Sequence, residues 1–206
     1  MVKKTIETIS LDGGSLCLDF INTINDRFVV DPLDYLGSGQ DLVKWAYRLK
    51  ITENDTHKKL LKYIDIHPQA ASEFLQQAKS IRELIYKIFL SISHNNEIQK
   101  EHLVTFNKII PDYFSKLQIE VKDGLTIESW DYKQEDLHRI LAPVLKDAYT
   151  LLLEGNRDRI RECPKCGWLF FDKSKNGRRR WCSMQTCGSN VKSLEYYRRK
   201  KQENRS

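Results

Sequence analysis

Cys163, Cys166, Cys182 and Cys187 are the residues whose type and spacing point most directly to chemistry. In Cys163-Pro-Lys-Cys166-Gly, two thiols separated by two residues can turn onto one metal ion, and Gly167 permits the tight backbone that follows. Cys182 and Cys187 come after a 15-residue spacer and are themselves separated by four residues. Four thiolates within 25 residues match the tetrahedral, sulfur-preferring coordination of zinc. No histidine follows His138, so a mixed Cys/His site in this segment is excluded. A closed four-thiolate set has no open position for water or substrate, so the expectation is one structural Zn2+ rather than a catalytic one.

A second chemistry surrounds the first. Residues 157–206 hold 15 Lys and Arg against 5 Asp and Glu, whereas residues 1–156 hold 19 against 23, so the modest net charge of +6 hides a strongly basic C-terminal part. Arg178, Arg179 and Arg180 lie between the cysteine pairs. Lys192, Tyr196 and Arg199 follow at i, i+4 and i+7 on one helical face, with Arg198, Lys200 and Lys201 widening the positive surface. Cations interleaved with tyrosine suit a phosphate backbone, because each neutralised phosphate releases counterions and a phenol can donate to phosphate oxygen. The alternative is a solvated or protein-contacting face: a zinc-finger interaction module without DNA binding.

Elements must position these groups. Trp168–Phe171 and Arg178–Trp181 read as two strands joined by residues 172–177, and a final helix starts after Gly188 with Ser189 as its cap and Val191 and Leu194 turned inward. Knuckle, hairpin and helix together make a small treble-clef-like α+β finger over 157–206. Residues 1–156 read as a mainly helical domain. A β-prone stretch, Thr5–Leu11, is followed by Gly13-Gly14 and a helix from Ser15 to about Asn25. In that helix Asp19, Asn22, Thr23 and Asp26 share a polar face. Short helices follow around Leu42–Leu49 and Leu60–Ile64. The longest amphipathic run carries Ala71 to Phe89, with Pro68 in its first turn. A further helix containing Ile98, Leu103 and Phe106 ends before Pro111. Residues 117–130 alternate around Asp123-Gly124, a hairpin signal. Helical period then returns over 134–154, with Pro143 either a kink or the true start. Gly155-Asn156 ends it.

Composition excludes several classes. With 40% hydrophobic and 30% charged residues the chain can build a core, which rules out global disorder. No apolar run approaches the roughly 18 residues of a membrane span, and the alternating stretch Met1–Ser10 carries no secretory signal. An odd number of cysteines, four of them clustered, argues for a reducing compartment over a disulfide framework. The expectation is a soluble cytoplasmic protein. The five histidines (His57, His67, His94, His102, His138) are scattered, and no phosphate loop or nucleophile motif is present, so catalysis is not expected. The fifth cysteine, Cys17, has no cation nearby to activate it and reads as core.

At these residues the chain becomes recognisable. Cys163-Pro-Lys-Cys166-Gly-Trp-Leu-Phe-Phe-Asp172, Arg179-Arg180-Trp181-Cys182-Ser183-Met184 and Cys187-Gly188 closely resemble the CGNR zinc finger of bacterial proteins. Leu11-Asp-Gly-Gly14 and Leu16-Cys-Leu-Asp19-Phe-Ile-Asn22-Thr23 are similar to the opening of the ABATE domain that precedes that finger. The resemblance covers almost the whole chain and implies a bacterial, stress-related transcription regulator: a helical N-terminal domain, a zinc-binding finger and DNA as partner. Cys187-Gly188-Ser189-Asn190 replaces the family's Cys-Gly-Asn-Arg, so the metal ligand is kept and the arginine is not. Arg82 in Ile81-Arg82-Glu83-Leu84 resembles the family's Leu-Arg pair. With Asp19, Asn22 and Thr23 it can line a pocket for a small-molecule effector, Arg82 gripping an anionic group. The competing reading is structural: Asp19 and Arg82 as a buried ion pair, and Asn22 satisfying the exposed ends of the hairpin backbone. Half-site readers often form homodimers, and such an interface would fall on the helical domain.

Overall fold

The structure, a computed structural model, describes residues 5–203; residues 1–4 and 204–206, including the start of the Met1–Ser10 stretch, lie outside the described residues. Its longest element explains the arrangement of the rest. Buried residues Ala71, Phe74, Leu75, Ala78, Ile81, Ile85, Ile88, Phe89 and Ile92 recur at helical spacing along α4 (Pro68–Ser93). Pro68 occupies the first turn, where its missing N–H costs nothing. Around α4 pack α1 (Leu16–Ile21), α2 (Gly39–Arg48), α3 (Asn54–Ile66) and α5 (Lys100–Phe114), with α6 (Ala142–Glu154) against α1 and α5. Trp45, Phe20, Phe89 and Leu36 are fully buried between them, each contributing about 1.5–3 kcal/mol by leaving water.

The hairpin expected at Asp123-Gly124 is present. β1 (Leu117–Lys122) pairs antiparallel with β2 (Leu125–Trp130), and both turn residues have positive φ, 52° and 76°, as a two-residue I′ turn requires. Pro143 marks a true start, for α6 begins at Ala142 after a 3-10 turn, Leu137–Ile140.

Three local readings are corrected. Thr5–Leu11 is a turn, not a strand: Thr8 and Ile9 amides both bond to the Thr5 carbonyl, which drops Ile6 and Ile9 into the core. Arg48 caps the Ile6 and Ile9 carbonyls. α1 stops at Ile21 rather than Asn25, because residues 22–25 are recruited elsewhere: the Thr23 carbonyl accepts from Tyr35 and the Asn25 amide donates to Leu33. The polar face expected of Asp19, Asn22, Thr23 and Asp26 is therefore broken. α5 runs through Pro111 to Phe114. Pro111 is exposed, so the carbonyl it frees one turn back can be solvated, while buried Tyr113 anchors the last turn.

After α6 come β3 (Ile160–Glu162), β4 (Leu169–Phe171) and α7 (Ser189–Glu203). β4 pairs with β3, not with Arg178–Trp181, so the knuckle cysteines themselves form the turn of the finger's hairpin. Alternation along the strand joins two cores. Leu169 and Ile160 belong to the main core, whereas Trp168 and Phe170 pack with Cys163, Cys166 and Cys182.

Candidate metal centre and its seam with the helical domain

The centre is built from the β3–β4 turn and the chain entering α7. Cys163 and Cys166 are set by the knuckle: the Cys163 amide donates to the Trp168 carbonyl at 2.8 Å, and the Gly167 amide to the Cys163 carbonyl at 2.9 Å. Gly167 has φ +70°, a conformation that glycine adopts without penalty, and a Cβ there would meet Arg27 at 2.9 Å. Cys187 lies in a wide π-type turn, Met184–Gly188, that leads directly into α7. Ser189 is thus not a cap. Its hydroxyl donates back to the Gln185 and Thr186 carbonyls, and Ser183 holds the N-terminal position instead.

The four ligand atoms lie within 4.8 Å of one another. Cys166–Cys182 are 3.7 Å apart, and Cys182–Cys187 and Cys187–Cys166 3.6 Å, sulfur to sulfur. Zinc bonded to each sulfur at ~2.3 Å sets tetrahedral edges of about 3.8 Å, so these separations fit the ion, and they are far beyond a disulfide bond. Hydrogen bonding among the sulfurs holds the Cys163 and Cys187 thiols below the ordinary range and pushes those of Cys166 and Cys182 above it. Packed together, four thiols cannot all ionise against one another. A dication removes that conflict, and the donor set fits one structural zinc ion.

Arg179 supports this centre from inside. Its guanidinium donates to the Trp181 carbonyl at 2.9 Å and to the Cys182 carbonyl, and it lies over the Phe170 ring at 4.7 Å. The loop is clamped by Asp172, fully buried, which accepts from the Ser174 and Arg179 amides. Burial works to raise the Asp172 carboxyl, but these hydrogen bonds outweigh it and hold it below the usual carboxylate range. Arg178 and Arg180 are exposed, with Arg180 over the Trp181 ring at 4.8 Å. The three consecutive arginines thus sit on a loop rather than a strand, and the middle one is spent on the fold.

α7 carries Lys192, Tyr196, Arg198 and Arg199, all exposed. Leu194, expected inward, is 52% exposed. The finger has too little apolar surface to cover it, and α7 packs chiefly against the π-type turn from which it emerges. Asn190, where the family's arginine would stand, lines a cavity of about 210 Å³ with Asp26, Lys165 and three of the cysteines.

The N-terminal candidates turn out to be joints. Asn22 is buried and treats β4 as a neighbouring strand would: its Nδ2 donates to the Leu169 carbonyl at 2.8 Å and its Oδ1 accepts the Leu169 amide at 3.1 Å. The Phe171 amide donates to the Gly13 carbonyl at 2.7 Å, the Trp168 indole to the Ile24 carbonyl at 2.6 Å, and the Arg27 amide to the Cys166 carbonyl at 2.9 Å. A Cβ on Gly13 would lie 2.7 Å from the α1 backbone, so glycine is needed for that close approach. Asp19 accepts from the Gly13 amide at 2.8 Å and makes no pair with Arg82. Burial pushes its carboxyl up to about 6.

Arg82 instead grips Asp34 with both nitrogens, at 2.8 and 2.9 Å, and donates to the Thr23 hydroxyl at 3.0 Å. Burial works to raise the Asp34 carboxyl, but the hydrogen bonds and charge of Arg82 outweigh it and hold it below its ordinary value. Asn22, Thr23 and Arg82 thus spend their polar groups on protein partners. Asp34, Trp168 and Asp147, which accepts the Cys17 amide at 2.8 Å, escaped the sequence reading. Only Trp168, an aromatic with one donor beside a knuckle, carried any local signal. Burial, with the Asp147 charge added, pushes the Cys17 thiol well above its usual range, in keeping with a core cysteine.

Two family models match the chain. The ABATE model, whose description is "Putative stress-induced transcription regulator", matches residues 14–155, and the CGNR zinc finger model matches residues 159–200. No curated protein matches it. With more than half of its length covered by one family model, and the four clustered thiols inside the other, the chain belongs to the ABATE family and carries a CGNR zinc finger.

Proposed function

We propose that the protein is a stress-responsive transcription regulator that acts by binding DNA rather than by catalysis, with the zinc finger holding α7 as the contacting element and the helical domain as its scaffold or sensor. The observation that carries this reading is α7 itself. A 15-residue helix without tertiary packing is marginal in water, yet this one leaves the metal centre with Lys192, Arg198, Arg199, Lys200 and Lys201 all exposed. Such a helix is suited to gaining its stability on a polyanion. A homodimer would be built from the helical domain, where Phe28, Val29 and Val30 are exposed on one loop and Ile119 and Val121 on the hairpin.

The second reading, a protein-interaction module without DNA binding, draws on Leu194 and Tyr197, 52% and 68% exposed on the same helix. Anisotropy of labelled duplex DNA across a salt series separates the two. With about four phosphates neutralised, log affinity falls against log salt with a slope of roughly −3.6, and Arg198→Ala/Arg199→Ala flattens it by up to about two units while zinc is retained. No binding at low salt, or binding indifferent to salt and to both changes, rejects the DNA reading and favours the interaction module.

A further inference from the structure

Arg178 and Arg180 open away from the metal centre into a cleft of about 320 Å³ between the C-terminal end of α4 and the 172–181 loop, lined also by Ser93, His94, Arg161 and Glu162. No residue of α7 lines it. The charges in this cleft do not balance. Its one carboxylate at the surface, Glu162, is already held by His94 at 2.6 Å. Among the described residues Arg178 has no hydrogen-bond or ion-pair partner, and the contact of Arg180 is its stacking on Trp181. Arg161 donates to the Gly177 carbonyl at 2.8 Å and stands 3.8 Å from Asp172, so it is steadied while its side chain stays 44% exposed.

Like charges gathered in one concavity repel, and of the three only Arg161 has a carboxylate, Asp172, beside it. The loop that carries them is nevertheless rigidly set, by the buried Asp172 clamp and by Arg179 bonded to the Trp181 and Cys182 carbonyls. A preset group of guanidinium forks with unused donors is a receptor for an anion. A single carboxylate would occupy one fork and leave the others unpaired. A phosphoryl group carries close to two charges and three oxygens, and can engage two or three forks at once.

We propose that this cleft binds a phosphoryl anion, held by Arg178 and Arg180 with Arg161 behind them. The inference goes beyond the DNA reading of α7, since the phosphoryl group can belong to a DNA backbone or to a free polyphosphate. The test uses the full-length, zinc-loaded chain with inorganic triphosphate as probe, titrated calorimetrically at constant ionic strength. Wild-type protein is expected to bind, Arg178→Ala/Arg180→Ala to bind at least about tenfold more weakly, a loss of about 1.4 kcal/mol, and Arg178→Lys/Arg180→Lys to recover part of the loss. Zinc content and far-ultraviolet dichroism are expected to stay unchanged. Arg198→Ala/Arg199→Ala is expected to bind triphosphate as wild type does, so failure of the α7 reading leaves this result legible. The same variants are then measured on duplex DNA. A flatter salt slope for Arg178→Ala/Arg180→Ala, with duplex displacing triphosphate, assigns the phosphate to DNA; an unchanged slope, with triphosphate staying bound beside the duplex, assigns it to a free polyphosphate. Triphosphate bound equally well by Arg178→Ala/Arg180→Ala, or neither triphosphate binding nor any change in DNA slope, overturns the proposal.

Discussion

Asp19 shows how one half-buried carboxyl in a structural joint writes itself into the pH dependence of the whole chain. Its folded-state carboxyl holds a proton up to about 6, mainly through burial and against the help of the Gly13 amide, while in the unfolded chain it ionises near 3.8. Between those values the native state binds more protons, so stability falls as pH rises through that window and the loss is complete above it. Asp19→Asn keeps an acceptor for Gly13 and has no charge to bury. It is expected to lack this part of the slope and to exceed wild type at pH 7 by up to about 3 kcal/mol, as read by urea denaturation of both proteins from pH 4 to 8. A wild-type curve parallel to that of Asp19→Asn would show that the carboxyl is not buried as described. Arg82 teaches the complementary lesson. A buried arginine calls for a carboxylate; adjacent Glu83 takes its Nε at 3.0 Å, but the bidentate partner, Asp34, was brought by the Ile24–Asp34 bridge, not by helical spacing.

At the scale of elements, Asn22 is the joint between the end of α1 and β4. Because both its amide atoms are used on Leu169, Asn22→Ala leaves a buried N–H and a buried carbonyl unpaired, each costing about 1–3 kcal/mol. The expected result is a drop in thermal midpoint together with faster amide exchange at Leu169. Asn22→Asp, similar in size, is expected to be no milder: it retains the acceptor, loses the donor and adds a charge to a site only 2% exposed. A stability change below about 0.5 kcal/mol in both variants, with altered response to a screened small molecule, would instead favour the pocket reading of this face. The α helices were legible in the sequence because their cores repeat at helical spacing. The strand partner of β4 was not, because neither Arg178–Trp181 nor Ile160–Glu162 carries enough alternation to single itself out, and only the knuckle turn decides which of them lies alongside.

For the whole molecule, the seam makes metal binding a matter for both parts. A small four-thiolate finger taken alone would draw most of its folding free energy from zinc. Ile160 and Leu169, however, lie in the main core, and Trp168, Cys166 and Phe171 bond to the backbone of residues 13–27. The freshly purified, reduced protein is expected to hold one zinc per chain by elemental analysis. Cys163→Ser, whose residue lies in the β3–β4 turn, is expected to lower the melting temperature of the helical domain by several degrees as well as loosening the finger. Cys187→Ser, on the α7 side, is expected to affect the helical domain less. Equal, negligible effects of both on helical-domain melting would show the seam to be energetically idle, and protein without stoichiometric zinc would refute the metal centre.

The sequence alone determined what is local in chemistry or periodic in pattern. The four thiols declared their ligand set through a spacing that few other roles require, α4 declared its buried face through a 3.6-residue repeat, and Asp123-Gly124 declared a turn through its tolerance of positive φ. Tertiary structure decided the rest, because it concerns polar groups whose partners are distant in the chain. Arg82 finds Asp34 rather than Asp19, Asn22 finds Leu169, and Cys17 has its amide taken by Asp147. A buried polar side chain announces that it needs a partner, since leaving it without one is costly; the fold supplies that partner, and nothing within a few residues of it can say which one it will be.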